Sequence, residues 1–335
     1  MRMKNEVDDK SINDWMKLFK NLYSVADSER TPEQMWIAVM AHSSTIGESI
    51  RKVAFESLLR SAAHTFCWLS SFVNKCNALS EDDVFSISES LPGIVSLKYP
   101  GVCGHCLGQP CVCDPVKMEE RKDKPAAYTE LLIHRNMNLS SYESYSIEKY
   151  KTMFGHIYAG RGHIQTLESQ GFHFLEEVGE AAICVRQISQ LRKISQDSHA
   201  QINSAFLKKL SRVDAIVKEY AENKLEGKID YSVKDPSMLK ARVVEAKMGL
   251  VVEIGDSFSW FCALLNKLDA ISRSIWDRPE EHEELKPIEQ VLREEYIGED
   301  GKARCPSCKK SPCQCVFYNL GSGGQNMSVV STLSK

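Results

Sequence analysis

Two runs of the chain place paired acids where helices would aim them at one point. The first is Gly171 to Glu180, GFHFLEEVGE, and the second is Val252 to Trp260, VEIGDSFSW. Glu177 with Glu180, and Glu253 with Asp256, stand three residues apart, and positions i and i+3 share a helix face. Two such helices side by side would form a four-carboxylate oxygen cage. That donor set suits Mg²⁺, a hard cation that takes carboxylates and water and is completed by substrate phosphates. Acids at this spacing more often form the solvated face of a soluble helix. Here Phe172, Phe174, Leu175, Val178, Ala181, Ala182 and Ile183 surround the first pair, and Leu250, Val251, Val252, Ile254, Phe258, Trp260 and Phe261 the second. An acid buried in such surroundings is costly unless a cation compensates it.

A second constellation is made of thiols. Cys103, Cys106, Cys111 and Cys113 follow the pattern C-x2-C-x4-C-x-C, and Cys305, Cys308, Cys313 and Cys315 repeat it, with Pro110 and Pro312 before each third cysteine. Four thiolates per cluster suffice for a closed tetrahedral Zn²⁺ site, and closed sites of this kind are structural. Gly104, Gly108 and Gln109, and Pro306, Ser307 and Lys309, are residues that tight turns around a metal favour. An iron–sulfur cluster is the alternative occupant, and His105 stands close enough to replace a thiolate. Cys67, Cys76, Cys184 and Cys262 lie in apolar helical sequence and read as core packing.

The acids also carry a resemblance. Glu176-Glu177-Val178-Gly179-Glu180 followed by Glu253-Ile254-Gly255-Asp256 resembles the paired motifs of the MazG-type all-α nucleoside triphosphate pyrophosphohydrolases. It covers the helical parts of both halves, about half of the chain, and its specificity rests on these acids. The resemblance implies Mg²⁺ held by Glu177, Glu180, Glu253 and Asp256, and hydrolysis at the α-phosphorus to a monophosphate and pyrophosphate. Glu176 would orient the water or bind a further metal. Lys267 and Arg273 fall where the family often places cations for the phosphates, although a basic residue late in a helix is also favoured by the helix dipole. His42, His64, His163 and His173 show no partner in sequence and read as packed or surface residues. Phe172, Phe174 and Trp260 could line a base pocket and are equally expected in a core.

The elements that must position these groups are helices. A first helix begins near Asn13 with Trp15, Leu18, Phe19 and Leu22 on one face; Thr31, Pro32 and Gln34 then read as a capping box opening a helical stretch to about Ala78, broken near Lys52. Phe66-Cys67-Trp68 falls on Phe258-Ser259-Trp260, Asn74-Lys75 on Asn266-Lys267, and Ile46-Gly47-Glu48 on Val178-Gly179-Glu180. With the repeated thiols, this reads as two copies of one unit, each a helical bundle closed by a cysteine knuckle. The fold expected is all-α, as tandem MazG-like bundles: residues 1–113, a linker at 114–146, an active copy at 147–318, and a disordered tail at 319–335.

The copies differ. Where the second has Glu177, Glu253 and Asp256, the first has Thr45, Ser61 and His64 and keeps only Glu48. Because the resembled family pairs its bundles as dimers, a degenerate copy would act as a built-in partner. The second copy also carries an insertion, at about 190–240, in which Ile202, Phe206, Leu210, Val213, Val217 and Tyr220 recur at helical spacing and Asp235-Pro236 reads as a helix start. That stripe suits internal packing or a contact between copies in a homo-oligomer.

Composition sets the remaining bounds. The 335 residues are 43% hydrophobic and 26% charged, with net charge −3, so no general attraction to nucleic acid or membrane follows. Lys98, Lys117, Arg121, Lys122, Lys124, Lys302, Arg304, Lys309 and Lys310 flank the knuckles, but interspersed acids and few aromatics give a weak nucleic-acid footprint. The first residues lack a signal-peptide core, no later run reads as long and apolar enough to span a bilayer, and twelve cysteines then suggest metal ligands in a reducing, cytoplasmic compartment. Two functions follow as expectations: Mg²⁺-dependent hydrolysis of nucleoside or deoxynucleoside triphosphates, or a silent nucleotide sensor or zinc-stabilised interaction protein.

Overall fold

The computed structural model describes residues 10–104, 106, 108–113, 142–159, 166–197, 202–225, 236–275 and 285–315. The tail and most of the linker expected above, with Lys117, Arg121, Lys122, Lys124, His105, His163 and Asp235, lie outside them. The described chain is all-α, with no strand among the described residues. In order the helices are α1 (Ile12–Leu22), α2 (Ser24–Glu29), α3 (Pro32–Arg51), α4 (Phe55–Ala78), α5 (Leu91–Lys98), α6 (Ile147–Tyr158), α7 (Leu167–Asp197), α8 (Ser204–Lys209), α9 (Val213–Leu225), α10 (Pro236–Ile275) and α11 (Ile288–Tyr296).

Local chemistry sets the boundaries. Ser11 caps α1 by accepting from the Asp14 N–H at 3.1 Å, while the Asp14 carboxylate accepts from the Ser11 N–H. Thr31 and Gln34 make the same reciprocal pair at the start of α3, with Pro32 in the first turn. The stretch to Ala78 does break beside Lys52, where Val53 adopts φ 55° and turns α3 back into α4. Ser90 and Ser146 cap α5 and α6.

Helices α3, α4, α7 and α10 form the core, with α1 on α4 and α6 on α10. Aromatic rings knit it across the chain: Phe66 meets Phe258 at 6.4 Å and Phe261 at 6.2 Å, and Phe174 meets Phe261 at 6.0 Å. Each such buried side chain contributes about 1.5–3 kcal/mol by removal from water. The expected amphipathic stripe is packed inside the chain: Ile202, Leu210, Val213 and Val217 are buried, Phe206 and Tyr220 lie against the core, and α9 rests on α10. Lys247 of α10, fully buried, ties this region down by donating to the carbonyls of Ser86 at 2.9 Å and Leu210 at 3.1 Å.

The contacts of one half recur in the other. Asn74 Nδ2 donates to the Met16 carbonyl at 2.8 Å, and Asn266 Nδ2 to the Lys151 carbonyl at 2.6 Å, each fastening a core helix to the first helix of its own half. Tyr23 stacks on Trp68, and Tyr158 on Trp260. The knuckles instead cross over. The Cys111 N–H donates to the Ile157 carbonyl, and the Cys313 N–H to the Leu22 carbonyl, both at 2.7 Å. Helix α5 likewise packs on α10, and α11 on α4. Trp15 Nε1 donates to Glu289 at 3.0 Å, joining α1 to α11.

One expectation is corrected here. The segment Leu239–Ser272 of α10 is long and apolar enough to cross a membrane, but 83% of its apolar window is buried by the rest of the protein. Its apolarity on all sides is that of a helix enclosed by others.

Candidate metal centre

Helix α7 turns Phe174, Val178, Ala181 and Val185 into the core. Glu177 sits at the edge of that stripe, facing α10. Glu180 lies about 60° further around the helix, at about 100° per residue, and is exposed. On α10, Glu253 and Asp256 face α7, and Asp256 is only 8% exposed. The carboxylates of Glu177, Glu253 and Asp256 offer ligand oxygens that all lie within 4.8 Å of one another. The structure thus brings three of the four expected acids together and leaves Glu180 outside. Glu176 is exposed, 3.3 Å from His173 Nδ1, which belongs to its own helix.

Charge explains what this cluster needs. Burial raises the pKa of Glu177, and the neighbouring charges of Asp256 and Glu253 raise it further. Glu253 is raised by burial and by Asp256 in the same way. Its Oε2 is buried with no hydrogen-bond partner. A carboxylate oxygen withdrawn from water and left without a donor is the position a cation fills.

Asp256 differs because α5 covers it. Lys98, 5% exposed, forms an ion pair with Asp256 Oδ2, and the Tyr99 hydroxyl donates to Oδ1 at 2.6 Å. Burial, followed by the Asp256 charge, holds the Tyr99 hydroxyl well above its ordinary pKa, so it stays a donor. Tyr99 is fixed by an edge-on contact with Phe154 of α6, centroids 5.2 Å apart. Lys98 was read above only as a flank of the knuckle. The signal that could have assigned it is the repeat itself: Lys98-Tyr99-Pro100-Gly101 matches Glu295-Tyr296-Ile297-Gly298. Tyr296 OH lies 2.8 Å from His64 Nδ1, and Glu295 lies 3.8 Å from His64 Nε2. His64 stands where Asp256 stands, with Glu295 and Tyr296 in the places of Lys98 and Tyr99. Burial lowers the His64 pKa to about 4, aided by Arg60, which leaves the ring neutral near pH 7.

The other expected residues fall elsewhere. Lys267, about three turns beyond Asp256 on α10, lines a cavity of about 200 Å³ with Tyr158, Gln170, Trp260 and Asn266. Arg273 lies on α10, and its side chain is outside what the structure describes. Trp260 is held between Tyr158 at 5.1 Å and His173 at 4.5 Å. Phe172 is 70% exposed and Ile183 49%, so these two are not part of the apolar setting of the acids. In the first half, Glu48 is exposed and pairs with Lys52 on its own helix.

The thiols form two clusters of four. Sγ separations are 3.8 Å for Cys103–Cys113 and for Cys106–Cys111, 3.8 Å for Cys305–Cys315 and 3.9 Å for Cys308–Cys313. These are far too long for disulfides and match the edge of a tetrahedron, about 3.8 Å, that Zn–S bonds of about 2.3 Å require. The N–H groups of Val112 and Gln314 donate to Cys106 and Cys308 at 3.4 Å. Against the effect of burial, such bonds bring Cys106 down to about 7 and Cys308 to about 6, toward the thiolate a metal needs.

No protein-family model, no curated protein and no solved structure matches the chain.

Proposed function

We propose that the protein hydrolyses nucleoside or deoxynucleoside triphosphates to a monophosphate and pyrophosphate, using Mg²⁺ at Glu177, Glu253 and Asp256. The observation that carries this reading is the close-set triad, half-buried at Glu177 and Glu253 and buried at Asp256, with the partnerless, buried Glu253 Oε2. The MazG-type resemblance of the two acid motifs supplies the reaction class, and Zn²⁺ in the knuckles is read as structural.

A cation bound at the triad supplies charge neutralisation for the triphosphate and activation of a water for attack at the α-phosphorus. The chain's own groups do the rest. Lys98 and Tyr99 fix the Asp256 carboxylate so that it is presented in one orientation. Glu253, whose Oε2 is buried and uncommitted, is the ligand with most to gain from the cation. Glu180 is exposed at the rim and is left as an outer group that holds water. Lys267, which lines a cavity further along α10, is the cation read as meeting the phosphates.

The test is pyrophosphate release from a panel of ribo- and deoxyribonucleoside triphosphates with Mg²⁺, comparing the wild type with Glu177→Gln. Release that the substitution abolishes, with helicity and zinc content unchanged, supports the hydrolase and names its base preference. Binding of a triphosphate without release from any member replaces it with a nucleotide sensor.

A further inference from the structure

We propose that the first thiolate knuckle holds Lys98 and Tyr99 on Asp256, so that the metal of one half controls the carboxylate site of the other. The proposal rests on the reading of the thiols as zinc ligands and of the triad as a cation site.

The path is short and continuous. Lys98 ends α5, and Cys103 follows five residues later. Gly104 lies so close beneath Lys98 that an added Cβ would stand 2.9 Å from the Lys98 carbonyl oxygen and 3.1 Å from its Cγ. The backbone of the knuckle therefore lies directly against the residue that reaches Asp256, with no room for a side chain between them. Its far side is fastened to α6 by the Cys111 N–H, one residue before Tyr158, and α6 carries the Phe154 ring that steadies Tyr99. Cys103 and Cys111 are buried against these elements.

A bound metal would lock the loop between these contacts. The eight-residue α5 is too short to be stable alone, and a four-thiolate turn with no core of its own gains its folding free energy from the metal. The second knuckle supplies an internal control. It presents Glu295 and Tyr296 to His64, not to the triad. Loss of metal from the two knuckles should therefore have unequal effects on the acids.

The experiment uses the full chain and two readouts. The first is acetylation of Lys98 by an amine-reactive ester, mapped by mass spectrometry. The second is Mn²⁺ binding by electron paramagnetic resonance. Lys98 is expected to be protected in the zinc-loaded wild type and in Cys308→Ser, and to react in Cys106→Ser. Gly104→Ala should expose Lys98 with zinc content unchanged, which separates the effect from loss of fold. Lys98→Met, which removes a cation beside three acids, should tighten Mn²⁺ binding by about tenfold or more. Cys106→Ser should shift Mn²⁺ affinity as Lys98→Met does, with no addition in the double variant.

Protection of Lys98 in both Cys106→Ser and Gly104→Ala would overturn the proposal, since the apolar face of α5 would then suffice to hold it. Equal exposure in Cys308→Ser would overturn it as well, as would a purified protein without zinc. If Lys98 labelling follows the first knuckle but no Mn²⁺ site is lost in Glu253→Gln, the coupling stands and the cation reading alone falls.

Discussion

Glu177 and Glu253 are half-buried beside the buried Asp256, and the Lys98 ammonium, which pairs directly with Asp256, only partly offsets the effect of burial on the two glutamates. Both glutamates are raised above the ordinary carboxylate pKa, so the folded protein binds protons that the unfolded chain releases near pH 4.5. The sign follows: their contribution to stability is full below about pH 4.5 and is lost as pH rises through the raised values. The metal-free protein is expected to melt at progressively lower temperature from about pH 5 through neutrality. Excess Mg²⁺ should restore the melting temperature, and by more at higher pH, because ligation requires the acids to ionise. Glu253→Gln should flatten both trends. A melting temperature independent of pH in that interval, with or without Mg²⁺, would contradict the assignment of the acids as a half-buried, only partly compensated pair.

Helices α7 and α10 keep the acids close because small residues let them approach. At Gly249, one turn before Glu253, an added Cβ would stand 2.9 Å from Cys184 Sγ of α7. Gly249→Ala is expected to push the two helices apart beside the site, costing about 1–3 kcal/mol in a denaturant titration and weakening divalent-cation binding. A second test concerns the fastening of first helices to core helices. Asn74→Ala and Asn266→Ala each remove a second hydrogen bond to a carbonyl that keeps its own helical donor, and each should cost about 0.5–1.5 kcal/mol. Comparable losses at both sites would show that the two tethers serve the same purpose. Many of the helix boundaries were legible in the sequence: the cap at Thr31, the break beside Lys52 and the start at Pro236 all follow from side-chain chemistry over a few residues. The meeting of the two acid motifs was legible as well, from their i, i+3 spacing in apolar sequence, although as four acids and not three. The exposure of Glu180 and the part of Lys98 were not. Whether an acid at i+3 is buried depends on what covers it, and Asp256 is covered by α5, contributed from far away in the chain, whereas Glu180 has no such cover. Local spacing carries no record of that crossing.

At the scale of the molecule, the crossing makes each half depend on the other. The first knuckle is anchored on α6 and the second on α1, while the aromatic core runs between Phe66, Phe258 and Phe261. Calorimetry of the zinc-loaded protein should therefore show one unfolding transition, and chelation of the thiol clusters should shift it downward as a whole. Two separate transitions would contradict this interdependence.

The order of synthesis gains a consequence from the same feature. Residues of α1 and α4 emerge early, yet the partners that close over them, Glu289 on Trp15, Tyr296 on His64 and the Cys313 N–H on Leu22, are among the last described residues made. A nascent chain holding only the first half would have its aromatic face, with Phe19 and Phe66, waiting for Tyr296 and Phe261. The half with Thr45, Ser61 and His64 in place of the acids is thus the half that must be sheltered longest on the ribosome, and it becomes a finished surface only when the last knuckle arrives.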